Sequence, residues 1–321
     1  MQKNIQKAGF REKLFNTGKA RINYVEGPNN GCPLVLIPGQ IGNWESYHKV
    51  LSKLSKKFQV YAVDIRGHGK SSWTTGDYSW KSVGSDMSAF LKEVVRRPSI
   101  VSGNSSGGII ALWLAANVPD YVSRIIIEDA PLFSAEMPRF KEKDKFVYNG
   151  LQRLVETIGN VKNRSLADYF KGAELPLKNG DVKRLPDWVA NIISFFIKRY
   201  EKAYPGKPID IPYLPPLRLF IKQLSQFDPD FARAFVDGRF YEGINHEEAL
   251  KKVQCPVLLL HTNWFRHPTC GLVGAMDDND ARRAKELVPN LIYKHIEANH
   301  VIHALCPKEF IQEVEEFAVK E

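Results

Sequence analysis

The chain of 321 residues is 44% hydrophobic and 25% charged, and it carries a formal net charge of +9. This length and apolar content suit one large core, or a core with a subdomain, and they exclude a disordered chain. No apolar run approaches the length of a membrane span, and the basic residues are scattered among acids, so we expect neither a membrane span nor a nucleic-acid partner.

Cysteine usage and the first residues of the chain indicate a reducing compartment. The four cysteines lie far apart and form no C-x-x-C pair, which is typical of free thiols. Residues 1–7 are polar and lack the apolar stretch of a secretory signal peptide. We therefore expect a cytoplasmic protein, while the sequence leaves its oligomeric state open.

The first part of the chain predicts strands and helices in alternation. Residues 10–17 and 20–26 have the pattern of a hairpin around the turn triplet Asn16-Thr17-Gly18. Further apolar runs predict buried strands over 34–37, 60–63 and 125–128, and helix-period runs predict helices over 44–54, 80–95 and 109–116. This alternation predicts a parallel sheet with helices on both faces.

A G-x-S-x-G motif stands between a strand-like run and a helix-like run. Gly103 and Gly107 flank Ser105, and glycines there let the strand and the helix pass close to each other. This context predicts Ser105 as a nucleophile on a strained turn, with the amide of Ser106 at the start of a helix placed to hold an oxyanion. The alternative is an ordinary turn serine.

The chain changes character between residues 134 and 245. Alternation stops, and helices are predicted over 146–158, 165–170, 187–204 and 216–227. We interpret the aromatic residues at helical spacing over 187–204 as packed core. The stretch holds 19 lysines and arginines against 14 acids, an excess that hints at acidic substrates drawn by electrostatic steering. Strands over 256–260 and from 291, with a helix over 281–287, follow.

Four segments together resemble the α/β-hydrolase superfamily, over about residues 10–133 and 247–321. They are Pro38-Gly39-Gln40, the loop over 64–71 of the form D-x-R-G-x-G-x-S, the serine motif, and Asn299-His300-Val301-Ile302-His303 followed by Pro307 and Phe310. The resemblance implies a mostly parallel eight-stranded sheet with a helical cap. It divides the chain into a core of residues 1–133 and 246–321 and a cap of residues 134–245.

The resemblance also implies site residues. It assigns His300 as the base for Ser105 and the backbone amide of Gln40, beside that of Ser106, as an oxyanion donor. Pro38 stands where the family has histidine, which changes little because the donor beside it is a backbone amide. We expect His68 to be structural and His303 to be packed behind the site.

The catalytic acid is the open point. The family usually carries an aspartate after its seventh strand, where this chain has Asn263-Trp264-Phe265. We predict Asp129, after the sixth strand, because catalytic groups of parallel sheets collect at the carboxyl ends of strands. Asp277 or Asp278 is the alternative if the later loop folds back, and Glu128 is a lesser one.

The sequence predicts neither a metal nor a cofactor. The C-terminal histidines lack H-E-x-x-H spacing, and the glycine-rich elements match no nucleotide-binding pattern. The predicted function is a serine hydrolase of a small to medium carboxylic ester or thioester. Two alternatives stay open: a C–C bond hydrolase, which Gly103-Asn104-Ser105 also resembles, and a non-catalytic ligand-binding or receptor protein.

Overall fold

Strands and helices alternate along the chain in a computed structural model that describes residues 2–159, 165–177 and 180–319. The strands are β1 Arg11–Asn16, β2 Arg21–Glu26, β3 Pro33–Ile37, β4 Gln59–Asp64, β5 Ser99–Asn104, β6 Val122–Glu128, β7 Glu174–Pro176, β8 Val182–Arg184, β9 Val257–His261, β10 Phe265–His267, β11 Gly271–Val273 and β12 Leu291–His295.

The helices follow the same order, with short 3-10 segments at Trp44–Lys49, Pro119–Tyr121 and Arg239–Tyr241 and a π-helical turn at Leu91–Val95. They are α1 Gln2–Lys7, α2 Leu51–Leu54, α3 Trp80–Phe90, α4 Ser106–Asn117, α5 Arg139–Glu142, α6 Lys145–Thr157, α7 Leu166–Tyr169, α8 Asp187–Ala203, α9 Pro215–Ser225, α10 Pro229–Asp237, α11 His246–Lys252, α12 Asp278–Leu287, α13 Ile302–Leu305 and α14 Pro307–Val319.

Across the described residues, eight strands form one sheet in the order β1-β2-β4-β3-β5-β6-β9-β12. Pairing is antiparallel at β1–β2 and β2–β4 and parallel from β4 to β12. Neighbouring residues of β3 face opposite sides, so that Val35 belongs to the core cluster that includes α3 and α4, and Leu34 to the cluster that includes α2 and α14. Helices cover both faces, which confirms the predicted fold class and explains why β3, β4, β5 and β9 are buried along their whole length.

The inserted segment, residues 134–245, follows β6 and contains α5 to α10. The predicted helices are present, and four elements were not expected: α5, α10, the 3-10 segment at Arg239–Tyr241 and the hairpin β7–β8. Phe227 and Phe231 of this segment pack edge-on against buried His68 of the core, with ring centroids 4.9 and 4.5 Å away. His68 is structural, as expected. The division of the chain into two subdomains stays a prediction.

Phe196 and Tyr200 of the inserted segment pack against the core as predicted, but the prediction is wrong for the other two aromatic residues of α8. Trp188 and Phe195 were expected to be core, yet they are 68% and 60% exposed. The buried stripe of α8 consists instead of Ala190, Ile193, Ser194 and Ile197. The 3.6-residue period reveals that α8 has two faces, and only the packing decides which of them is buried.

The turn between β5 and α4 depends on close backbone contacts. A Cβ atom added to Gly103 would lie 2.0 Å from the carbonyl oxygen of Gly107, and one added to Gly107 would lie 2.4 Å from the oxygen of Ile37. Glycine is required here because no heavier side chain fits between these backbones. The contacts hold the end of β3, the end of β5 and the start of α4 together.

We expect Gly103→Ala to lower the free energy of unfolding by more than about 3 kcal/mol, since backbone must move to admit the methyl group. Gly150→Ala is the matched control, because Gly150 lies inside α6 with open space around its Cα. That change should stabilise by about 0.5–1 kcal/mol through helix propensity. Urea denaturation measures both, and equal midpoints for Gly103→Ala and the unchanged protein would contradict the packing argument.

Candidate active site

Ser105 lies at the tip of the turn between β5 and α4. Its backbone angles are φ 53° and ψ −125°, a strained conformation for a residue with a side chain. The turn is held by the Ser105 amide, which donates to the carbonyl oxygen of Glu128 at 2.8 Å. The side chain of Ser105 lines a large cavity at this edge of the sheet. Such a turn presents a hydroxyl to a substrate while the backbone around it stays rigid.

His300 and Asp129 meet beside this turn. His300 Nδ1 donates to Asp129 Oδ2 at 2.7 Å, and the Thr262 amide donates to Asp129 Oδ1 at 3.0 Å. The Asp129 side chain is 1% exposed, whereas that of His300 is 44% exposed and lines the same cavity as Ser105. Since Nδ1 is engaged by the carboxylate, Nε2 is the ring nitrogen left to exchange a proton with a neighbour.

The charge around His300 favours its protonated form. Partial removal from water lowers the pKa of the imidazole, but the hydrogen bond and negative charge of Asp129, with a smaller contribution from the charge of Glu128, raise that pKa above its ordinary value. The site therefore stabilises an imidazolium, the form that a histidine base takes after accepting a proton.

The alternative acids make other contacts. Asp277 caps α12 by accepting from the amide of Asp280 at 3.0 Å, and its second oxygen pairs with Arg266. Asp278 accepts from the indole nitrogen of Trp264 at 2.8 Å, with 75% of its side chain exposed. Of the three aspartates proposed from the sequence, Asp129 is the one that the structure joins to His300.

Gln40 and Ser106, the predicted oxyanion donors, both line the cavity. Gln40 follows Gly39, where an added Cβ would lie 2.9 Å from the Cβ of Ser105, so this loop runs directly beside the serine. Its next residue, Ile41, donates its amide to His68 Nε2 at 3.2 Å. Burial lowers the pKa of His68 to about 4, which keeps that imidazole neutral and able to accept.

A set of buried polar contacts braces the three loops that carry these groups. The Asn104 side-chain amide donates to the carbonyl oxygens of His300 at 2.9 Å and Glu128 at 3.3 Å. The Glu128 carboxylate accepts from the backbone amide of His303 at 3.0 Å and from its Nδ1 at 2.8 Å. His303 also stacks on Tyr47, with ring centroids 4.0 Å apart. The sequence predicted that His303 packs behind the site, but it did not predict the pairing of His303 with Glu128. The one sign of that pairing in the sequence is an acidic residue directly before Asp129.

The cavity itself has a volume of about 1440 Å³ and largely apolar walls. Its charged side chains are carboxylates: Asp129, Asp144, Asp278 and Glu297. Among the described residues that line it, none is a lysine or an arginine. Arg139 of the inserted segment pairs with Asp144 at the wall, but no described basic side chain of that segment lines the cavity itself, so the lining gives no support to the hint of acidic substrates.

The hairpin β10–β11 forms part of the cavity wall and was expected to be a loop. Phe265, Leu272 and Val273 contribute side chains from it. The available sequence signal was the pair of turn residues Pro268 and Gly271 between Phe265 and the apolar pair Leu272-Val273. Within the described part of the chain, no three histidine, cysteine or acidic side chains come together as a metal ion would require.

The arrangement has counterparts in known proteins. The sequence model of the α/β-hydrolase fold family matches residues 33–199, which is more than half of the chain. The chain belongs to the α/β-hydrolase fold family. Among curated relatives, this α/β hydrolase is 25% identical over 138 residues to 3-oxoadipate enol-lactonase 2 of Acinetobacter baylyi, a match that spans 42% of the chain and 52% of that lactonase.

Solved structures of α/β hydrolases share the fold along the whole chain. Carboxylesterase CesB of Bacillus subtilis superposes with a TM-score of 0.64 at 17% identity, covering 99% of this chain and 95% of that one. The enol-lactonase of Burkholderia xenovorans superposes with a TM-score of 0.65 at 16% identity, covering 96% of this chain and 100% of that one. At such identities the likeness shows the fold alone. In the described residues of this α/β hydrolase, no helix is long and apolar enough to cross a membrane.

We expect His300 to titrate above the ordinary histidine value of about 6.5, as followed by NMR of its imidazole C–H signals. Glu128→Gln should lower its pKa, and Asp129→Asn should lower it further, because each change removes a negative charge. Protonated His300 therefore adds stability that is full below about pH 6.5 and is lost as the pH rises through the raised pKa.

The control for this titration is Glu297→Gln, which alters a carboxylate of the cavity wall that is no cause of the shift at His300. A His300 pKa that is unchanged in Asp129→Asn would contradict the electrostatic assignment.

Proposed function

We propose that the chain is a serine hydrolase that cleaves neutral carboxylic esters, lactones included, through an acyl-enzyme on Ser105. One observation carries the proposal. The hydrogen bond between Asp129 and His300 lies in the same cavity as the strained turn of Ser105. A nucleophile, a base and a carboxylate that orients the base are the minimum for this chemistry.

In the first half of the proposed reaction, the hydroxyl oxygen of Ser105 attacks the ester carbonyl carbon. His300 takes the serine proton on Nε2, and the Asp129 carboxylate stabilises the resulting imidazolium. Negative charge moves to the carbonyl oxygen, where the backbone amides of Gln40 and Ser106 would donate to it. Collapse of the tetrahedral intermediate breaks the C–O bond, and the leaving alkoxide takes the proton from His300.

In the second half, water takes the place of the departed alcohol. His300 accepts a proton from this water as its oxygen attacks the acyl carbon, and the same two amides hold the new oxyanion. Expulsion of Ser105, which regains its proton from His300, releases the carboxylic acid. For a lactone, the alcohol and the acid are two ends of one product molecule.

The size and lining of the cavity favour a neutral substrate larger than a typical small molecule. Its volume exceeds the usual upper range of about 1000 Å³ for small-molecule pockets. Phe140, Phe146, Val147, Leu177 and Phe235 of the inserted segment line it, so we propose that this segment acts as a cap that selects the substrate. The similarity to an enol-lactonase and to a carboxylesterase fits an ester or lactone as the bond that is cleaved.

The structure offers no separate support for C–C bond cleavage. That alternative rested on Asn104 before the nucleophile, and the Asn104 amide is used to hold the backbone of His300 and Glu128. A non-catalytic receptor would bind ligand without turnover, so assay of an ester panel separates it from the proposed enzyme.

We expect Ser105→Ala to lower kcat by on the order of 10³-fold or more without unfolding the protein, because it removes the proposed nucleophile. A fluorophosphonate probe should label the unchanged protein and fail to label Ser105→Ala. Labelling that survives the substitution, for instance at Ser106, would end the assignment.

The acid is tested by comparing Asp129→Asn with Asp277→Asn and Asp278→Asn. Asp129→Asn should cost several orders of magnitude in kcat, since an amide holds the wrong histidine tautomer. Asp278→Asn should stay close to the unchanged protein, and Asp277→Asn should act on stability, because Asp277 caps α12. Near-normal turnover in Asp129→Asn would move the acid elsewhere.

We expect neutral esters to be better substrates than anionic esters of the same size. Asp278 and Glu297 of the wall repel a negative charge, whereas Asp144 is already paired with Arg139 and Arg266. The ratio of kcat/KM for a neutral and a carboxylate-bearing ester should fall as salt is raised, and it should fall in Glu297→Gln at low salt. A preference for the anionic ester at low salt would contradict this.

A further inference from the structure

The outer face of α8 carries a row of exposed apolar side chains. Trp188, Ile192 and Phe195 are 68%, 45% and 60% exposed, and their spacing of four and then three residues places them on one stripe. The opposite stripe is buried in the inserted segment. Exposed apolar side chains in a continuous row on a helix indicate a surface that binds something.

The same stripe continues as a basic one. Arg199 and Lys202 follow Phe195 at the next two positions of the helical repeat, and both are exposed. Across residues 183–207 there are six lysines and arginines against two acids. The two acids, Asp187 and Glu201, lie about 100° and about 140° around the helix axis from Trp188, and so the stripe is apolar at one end and basic at the other.

We propose that this stripe, the docking face of α8 (Trp188, Ile192, Phe195, Arg199 and Lys202), binds the surface of an anionic phospholipid bilayer. Tryptophan and phenylalanine side chains enter the boundary between head groups and acyl chains, while arginine and lysine contact lipid phosphates. The helix lies in the plane of the membrane surface and does not cross it. The excess of lysine and arginine in the inserted segment, which is absent from the described cavity lining, would then serve to attract the protein to an anionic membrane.

A second copy of the chain fits this face less well. A two-fold contact places a patch on itself, so parallel helices would bring Arg199 and Lys202 against their own counterparts. Antiparallel helices would bring Trp188 against a basic end. The three apolar side chains expose on the order of 300 Å², which is short of the roughly 800 Å² per partner of a stable interface. An anionic bilayer instead offers apolar and negatively charged layers side by side.

The test is co-sedimentation of the full chain with two kinds of vesicle, phosphatidylcholine alone and phosphatidylcholine mixed with phosphatidylglycerol. We expect binding to the mixed vesicles only, weakened by added salt. Trp188→Ser with Phe195→Ser should lower the partition coefficient by about tenfold or more, and so should Arg199→Glu with Lys202→Glu. Trp188→Phe should keep most of the binding while losing the blue shift of tryptophan emission that insertion causes.

Matched controls are available on other surfaces. Arg282→Glu with Lys285→Glu changes two basic residues at the same spacing on α12, and Leu14→Ser removes an apolar side chain that is 59% exposed on β1. Both should bind as the unchanged protein does. The proposal is overturned by equal binding to both vesicles, by no binding, by controls that weaken binding as much as the α8 variants, or by dimerisation that the α8 variants abolish. None of these outcomes depends on Ser105 or His300, so the proposed function is tested separately.

Discussion

The close approach of three backbones at the serine turn is the constraint on which the site depends. Gly103 and Gly107 allow the ends of β3 and β5 and the start of α4 to come within contact distance, and Ser105 is left in a strained conformation between them. Strain of this kind, of order 1–3 kcal/mol, persists only where the surroundings hold the backbone. The surroundings here are a sheet buried on both faces, so the stability of the core and the geometry of the candidate nucleophile have one origin.

The carboxyl ends of β6 and β9 provide the second half of the site. Asp129 follows β6, and the amide that fixes its carboxylate comes from Thr262 after β9, where the family more often carries the acid itself. The loop of His300 is then held from behind by Asn104 and by the buried pair of Glu128 and His303. The two side chains of this pair satisfy each other's hydrogen-bonding groups, and removing one would leave a buried polar group without its partner, at a cost of about 1–3 kcal/mol. The value of the pair lies in holding one loop in one place.

The inserted segment carries different kinds of side chain on the side that faces the cavity and on the side that faces solvent. Its apolar side chains turn inward to wall the cavity, its aromatic and basic side chains on α8 turn outward, and Phe227 and Phe231 anchor it on His68. Net charge therefore says little about what the cavity accepts, because charges on the far side of the segment are screened by water and ions before they reach it. The same charges act strongly on a surface that α8 touches directly.

The sequence by itself determined those features that depend on neighbouring residues: the alternating elements, the fold class and the serine turn with its two glycines. Tertiary structure decided what depends on residues far apart. Asp129 and His300 are 171 positions apart, and only the tertiary structure brings them within hydrogen-bonding distance. It also pairs β10 with β11 and makes Asp277 the N-terminal cap of α12. The direction in which Trp188 and Phe195 point was likewise undecided, since helical period defines a face but not what covers it.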